Sequence, residues 1–383
     1  VEVHGTTLSN GLVTVHVAED GSISSLLDHH HERQVLPRGL HGAQLRLHPD
    51  LPARWDAWDL EKADGRVFDQ PDSALPGSSA VVLAPARVVQ AGPLRAVIEA
   101  DLQIGGSHLV QRTTLTAGSP RVDIEVDVDW RERESTLAAH LPVSVLAGHS
   151  SASIQFGHLQ RATHENTSWE AARHEMVAHR WLHVGEAGWG LALVNESSYG
   201  HSMGRTVIGS EPVTMLRLTL LRGASFPDPE ADRGRHLLRF GIVAGADIGA
   251  AIRHGYEVAL PVLGRALAQE SATDEPATDE PATSPRRTPF IDVDDAGCVI
   301  EAVKLAEDGS GDVVVRCYEA LGGRRRVTLT FGFEVSAITE TDLLEDGDGL
   351  GLDGRRALQT VDGNRIRLAL KPFQIVTLRL RRR

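Results

Sequence analysis

The feature that most constrains this chain is a two-residue alternation of apolar and polar side chains, broken by turn signals roughly every 8–12 residues. Leu12-Val-Thr-Val-His-Val17, Gln44-Leu-Arg-Leu-His48, Val122-Asp-Ile-Glu-Val-Asp-Val-Asp129, Leu216-Arg-Leu-Thr-Leu-Leu221 and Ile366-Arg-Leu-Ala-Leu370 all carry it. Successive strand side chains point to opposite faces, so this pattern buries one face and wets the other. The runs are separated by Glu19-Asp-Gly-Ser22, Gly105-Gly106, Ala117-Gly-Ser-Pro120, Glu307-Asp-Gly-Ser-Gly311 and Gly322-Gly323. Only Asp247 to Val258 suggests a helix, with apolar residues at 248, 252 and 258. Strands without alternating helices predict packed antiparallel sheets, an all-β protein.

One stretch cannot join a core. Residues 269–287 repeat Thr-Asp-Glu-Pro-Ala twice and hold no large apolar side chain. Such a composition buries too little surface to order itself and reads as a linker. It divides a large unit, 1–265, from a small one, 289–383, with a disordered acidic connection at 266–288. The small unit has length for six to eight strands.

Composition removes several partners. The formal charge is −13, and Lys occurs only at 62, 304 and 371. Nucleic acid and anionic membrane surfaces require clustered basic charge, so neither is expected. No apolar run reaches membrane-spanning length, and Val1-Glu-Val-His4 lacks the basic start and apolar core of a signal peptide. The chain has no initiator Met, which leaves secretion open. Cys298 and Cys317 could pair, but two thiols in so long a chain are expected to be buried and reduced.

Several clusters could carry chemistry. His29-His-His31 sits at an apparent hairpin tip and reads as a solvated turn, since consecutive histidines diverge on a strand. His48-Pro-Asp50 has metal-ligand spacing but only two donors. Trp55-Asp-Ala-Trp-Asp59 places two indoles and two carboxylates in five residues, the composition of a sugar-facing loop. On composition alone a plug at a sandwich end, with indoles filling it and aspartates capping backbone N–H groups, is slightly favoured. Phe226-Pro-Asp-Pro-Glu-Ala-Asp-Arg-Gly234 presents Asp232 and Arg233 on a segment stiffened by proline. His164-Glu-Asn-Thr-Ser-Trp169, continuing to Trp181, packs two tryptophans and three histidines into a short polar run. No nucleophile elbow, P-loop or dinucleotide glycine pattern is present.

In order along the chain, seven stretches resemble the C-terminal half of glycoside hydrolase family 38, the α-mannosidases. They are Leu8-Ser-Asn-Gly-Leu-Val13, Gly21-Ser-Ile-Ser-Ser-Leu-Leu-Asp28, Trp55–Asp59, Thr163-His-Glu-Asn-Thr-Ser-Trp169, Ala178-His-Arg-Trp181, Leu220-Leu-Arg222 with Pro227–Gly234, and Pro372-Phe-Gln-Ile-Val-Thr-Leu378. The resemblance is to the shorter bacterial, fungal-vacuolar and cytosolic type. It implies a large mutarotase-like β-supersandwich followed by a small immunoglobulin-like β-sandwich.

It further implies that zinc, the nucleophilic Asp and the acid/base Asp of a retaining mechanism lie on an N-terminal barrel that precedes this chain. His48-Pro-Asp50 lacks the apolar and aromatic sequel of the family's zinc motif. Gln155-Phe-Gly-His158 echoes the nucleophile's surroundings without the Asp. The expectation is therefore no catalytic residue, no metal ligand and no cofactor in this chain.

The rim residues implied are Trp55, Asp56, Trp58, Asp59, His164, Asn166, Trp169, Asp232 and Arg233. Partners would be the catalytic barrel of the same enzyme and an α-mannoside or oligosaccharide, in a cytoplasmic setting, with homo-oligomerisation left open. A stand-alone carbohydrate-binding or structural β-sandwich module is the alternative.

Overall fold

A computed structural model describes residues 1–52, 54–60, 79–208, 210–260, 262, 289–347 and 356–383. The expected linker at 266–288 lies outside the described residues. The chain divides into two compact units, Val1–Leu260 and Pro261–Arg383. Both are built from antiparallel strands, as the alternation predicts.

Strand Arg121–Trp130 shows why. Its odd positions are half-buried while Val122, Ile124, Val126, Val128 and Trp130 are fully buried. Each such aliphatic side chain taken from water contributes roughly 1.5–3 kcal/mol, which fixes both face and register. Ile124 stands opposite Phe240 on one neighbour and Thr113 on the other. This strand lies inside a nine-stranded sheet. Across that sheet the order is Gly157–Ala162, His149–Ile154, Trp181–Glu186, Trp189–Asn195, Gly234–Ala244, Arg121–Trp130, Ser107–Thr116, Arg95–Ile104 and Val81–Gln90.

A five-stranded sheet holds, in order, Met176–Val177, Gly200–Ile208, Glu211–Arg222, Ser135–Val143 and Gln44–Pro49. The first strands, Glu2–His4 through Arg33–Gln34, form a separate five-stranded meander. One apolar cluster draws side chains from all three sheets, among them Val15, Leu26, Leu45, Ile124, Leu137, Leu193, Leu216 and Ile242.

The one helix that periodicity suggests is present as Ile248–Ala259. Asp247 caps it by accepting the Ala250 N–H at 2.7 Å. The helix buries Ala251, Ile252, His254 and Gly255. A Cβ on Gly255 would lie 2.9 Å from Trp181 Cδ1, so the close approach requires glycine.

In the small unit, Ile291–Val293, Arg325–Phe331, Arg365–Leu370 and Leu358–Asp362 form one four-stranded sheet. Cys298–Leu305, Val313–Glu319, Ile375–Arg382 and Val335–Thr341 form the other. Val315, Leu329, Phe331, Ile366, Leu368 and Leu378 belong to their common core. Cys298 and Cys317 are buried there and free.

Candidate functional site

Two of the sequence-predicted segments, the Trp55–Asp59 loop and Asp232, meet Arg222 at one end of the five-stranded sheet that holds Ser135–Val143, where three strand ends lie side by side. Pro49 and Arg222 flank the central strand at Ser135 and Thr136. Beyond the strands the backbone pairing continues. Asp50 N–H donates to Glu134 O at 2.8 Å, and Gly223 N–H to Ser135 O at 2.8 Å. A Cβ on Gly223 would meet Glu132 O at 2.7 Å, so only glycine lets the chains approach this closely. Asp50 and Arg222 are thereby brought together across 172 residues of sequence.

Arg222 organises the loop next to these strand ends. Its guanidinium grips the Asp50 carboxylate through Nε and Nη2, the latter at 3.1 Å from Oδ1. Nη1 donates to Ala57 O at 3.3 Å and Nη2 also to Asp59 O. The loop thus held is a tight turn, with Trp58 N–H and Asp59 N–H both donating to Trp55 O at 2.7 and 2.8 Å. Trp55 adopts the left-handed region at φ +57°. The Asp56 carboxylate accepts the N–H groups of Ser225 at 2.6 Å and Phe226 at 2.9 Å. Both indoles remain 67% exposed, and Trp58 and Phe226 form a T-shaped pair with ring centroids 6.5 Å apart. Of the two sequence readings, a buried plug does not describe these indoles, although the aspartates do bond backbone.

Asp232 and Arg233 do not pair with each other. Asp232, at φ +60°, accepts the Arg222 N–H through its carboxylate at 3.3 Å, while its carbonyl takes His236 Nε2 at 2.6 Å. Arg233 Nη1 donates to Glu230 at 2.5 Å, a carboxylate shared with Arg133.

His164 Nδ1 is 3.3 Å from Glu170, within ion-pair distance but without hydrogen-bond geometry. Asn166 and Trp169 are exposed, Trp169 on a one-turn helix, Ser168–Ala171, closed by a Thr167–Glu170 capping box. This segment reaches the Trp55–Asp59 loop through His174, whose Nε2 bonds Leu60 O at 2.7 Å. Glu175 ties it to the sheet by accepting Arg217 and Thr219, each at 2.9 Å.

Sequence reading missed Asp50's role, Arg222, Phe226 and His174. The T-x-x-E capping box was legible; the Asp50–Arg222 pair has no local signal.

The metal-like motifs resolve into other roles. His48 Nε2 faces His140 Nε2 at 2.9 Å, while Asp50 turns to Arg222. Burial, then Arg217 and Arg46, pushes His48 down to about 4, and burial with His48 holds His140 well below the usual imidazole range. Two guanidiniums beside this pair oppose a bound cation. His29 bonds Thr14 and His31 bonds Asp28, at 2.8 and 2.7 Å, on a hairpin tip. Gln155–His158 spans another hairpin turn, where His158 packs on Trp181. Among the described residues no cluster of three or more His, Cys, Asp or Glu is placed to hold a metal ion. The described donor sets do not fit zinc.

An open groove of about 620 Å³ lies elsewhere, lined by Arg33, Gln34, Ser144, Glu186 and Glu211 among others. None of the predicted rim residues lines it. Arg33 is engaged by Glu186 at 2.6 Å and stacks over Trp189 at 4.2 Å.

These features define an all-β, sandwich-built protein with an anchored aromatic loop. Comparison supplies the family. Residues 8–230 match the glycosyl hydrolases family 38 C-terminal domain, and residues 297–378 that family's C-terminal beta sandwich domain. The chain belongs to glycosyl hydrolase family 38.

It is 34% identical to human alpha-mannosidase 2C1 over 98% of its own length and 33% of that protein's. To alpha-mannosidase G of Dictyostelium discoideum it is 30% identical, over 86% of this chain and 28% of the relative. The chain spans about a third of the length of the curated relatives it matches. The fold matches a crystal structure of an alpha-mannosidase from Enterococcus faecalis V583 with TM-score 0.72 at 14% identity, over 99% of this chain and 43% of that one. The chain thus corresponds to the C-terminal region of family 38 α-mannosidases. No helix among the described residues is long and apolar enough to cross a membrane.

Proposed function

We propose that this chain is the supporting, rim-building part of an enzyme that releases terminal α-linked mannose. The bond-breaking residues and the zinc that the family resemblance implies would lie on a catalytic barrel outside this chain, which is its first partner. The observation carrying this reading is the Trp55–Asp59 loop. Its backbone is anchored on Arg222 and its Asp56 on Ser225 and Phe226, yet both indoles face solvent. A loop anchored in this way and presenting exposed indoles suits stacking on the C–H surface of a sugar. Asp59, Asp232 and Arg233, with His164, Asn166 and Trp169, complete the rim in this reading. A cytoplasmic setting is supported by two buried thiols that remain free.

The test has two arms. Saturation-transfer NMR on this chain with methyl α-mannoside should give signal that Trp58→Ala removes; equal transfer from the variant ends the rim reading. The pure chain supplied with zinc should release no nitrophenol from an aryl α-mannoside, and steady turnover would overturn the assignment of the chemistry to another segment.

A second reading, a stand-alone carbohydrate-binding module, is favoured by the same exposed indoles. Mannoside affinity unchanged on joining the chain to the rest of its polypeptide would select it.

A further inference from the structure

We infer that Arg222 is the positioning residue of the Trp55–Asp59 rim: it sets where the two indoles stand without itself meeting the sugar. The inference deepens the proposed rim reading and rests on it for the role of the sugar.

Four observations carry it. First, all three guanidinium nitrogens are engaged inside the protein, by the Asp50 carboxylate and by the carbonyls of Ala57 and Asp59. Four of the five guanidinium N–H donors are used in this way, which leaves one Nη1 N–H. Second, the side chain is only 16% exposed and Asp50 5%, so the pair is shielded from the salt screening that weakens surface ion pairs. Third, the acceptors are main-chain carbonyls on either side of Trp58. Fixing the Ala57 carbonyl fixes the peptide plane leading into Trp58, and fixing the Asp59 carbonyl holds the plane one residue beyond it. Fourth, the Arg222 backbone N–H holds the Asp232 carboxylate. A single residue at the end of strand Glu211–Arg222 therefore references both rim segments to the same sheet.

Arginine is needed for its shape. A planar fork can meet a carboxylate bidentately and still reach two divergent carbonyls, which one ammonium cannot do. Asp50 supplies the counter-charge that keeps the fork oriented, which accounts for a buried carboxylate directly after strand Gln44–Pro49. It also explains why His48-Pro-Asp50 has metal spacing without a metal role.

The test uses 5-fluorotryptophan labelling and fluorine NMR of this chain, with assignment by single Trp→Phe variants. All six tryptophans lie in the large unit. Trp130, Trp181 and Trp189 are buried and serve as internal references for intact folding. In Arg222→Lys, which keeps the charge on Asp50 but loses the fork, the Trp55 and Trp58 resonances should shift or broaden while the buried three stay in place. Methyl α-mannoside binding should weaken by about ten-fold, a factor equivalent to roughly 1.4 kcal/mol. Trp55 and Trp58 signals identical to wild type would overturn the inference, whatever the sugar does.

If wild-type chain binds no mannoside, the rim reading falls while the fluorine spectra still decide the positioning role. Should Arg222→Lys fail to fold, Asp50→Asn carries the same test, because it leaves the guanidinium and both carbonyl acceptors in place. Its Trp55 and Trp58 signals should move in the same direction by less, and their staying fixed would again overturn the inference.

Discussion

Histidine separates the two units. All eighteen lie between His4 and His254, in Val1–Leu260, and Pro261–Arg383 contains none. The small unit secures its polar interior with carboxylates and arginines. Glu319, fully buried, accepts the N–H groups of Leu321, Gly322 and Phe373 and the Nε of Arg325, at 2.8–3.0 Å. Arg379 bridges Asp308 and Asp312, and hydrogen bonds from Ser310 and Arg379 draw Asp308 down to about 2. The large unit instead buries neutral imidazoles. Burial takes His201 to about 4, does the same to His48 with help from Arg217 and Arg46, and lowers His183 and His254. The two units thus spread their sensitivity to protons over different ranges.

The largest expected effect breaks the small unit alone. Glu319→Ala leaves Arg325 with only Asp295 and three backbone donors without their acceptor. Removing one partner of a buried ion pair costs about 3–5 kcal/mol. Every tryptophan lies in the large unit, so tryptophan fluorescence should report an unchanged urea midpoint while far-UV circular dichroism gains an earlier transition. A fluorescence midpoint that moves with the dichroism would erase the separation.

Acid sharpens the same contrast in the opposite direction. Between an unfolded imidazole value near 6.5 and the folded value of about 4, the unfolded chain binds more protons, so stability falls as pH falls. The contribution is fully present above pH ~6.5 and fully lost below pH ~4. For one histidine such as His201 it amounts to roughly 3 kcal/mol, of which roughly 2 should be gone by pH 5. In the small unit the lowered Glu319 and Asp308 hold their stabilisation until pH drops below the ordinary carboxylate values near 4. Urea midpoints by fluorescence should therefore decline from pH 7 to 5 while the small unit's transition stays level. A flat fluorescence midpoint over that range would contradict the burial of neutral imidazoles.

Part of this was legible where burial alternates strictly, as it does in Arg121–Trp130. Val122 to Trp130 reads as a strand in sequence and is one, and Asp247 announces the helix that begins at Ile248. That helix's pattern is patchy because glycine and alanine, not a continuous apolar stripe, pack where Gly255 meets Trp181. The Trp55–Asp59 loop was legible only as composition. Trp55-Asp-Ala-Trp-Asp59 stood out, but what fixes it, Asp50 with Arg222, spans 172 residues and depends on which strands become neighbours. Adjacent residues can also diverge. Asp232 and Arg233 invite pairing in sequence, yet their side chains go to Arg222 and Glu230.

The smallest effects narrow the comparison to two exposed indoles of the large unit. Trp58 rests against Phe226, and an aromatic edge contact is worth about 0.5–1.5 kcal/mol beyond area burial. Trp169 is 77% exposed on a single capped turn that buries no residue. Its turn is stabilised by the Thr167–Glu170 box, which the indole does not join. Trp169→Ala should accordingly leave the urea midpoint within about 0.5 kcal/mol of wild type, whereas Trp58→Ala should cost about 1 kcal/mol. The order matters more than either value: Trp58 is held by neighbours that Arg222 arranges, and Trp169 by its own turn. A larger loss from Trp169→Ala would mean that its indole is packed against the rest of the unit.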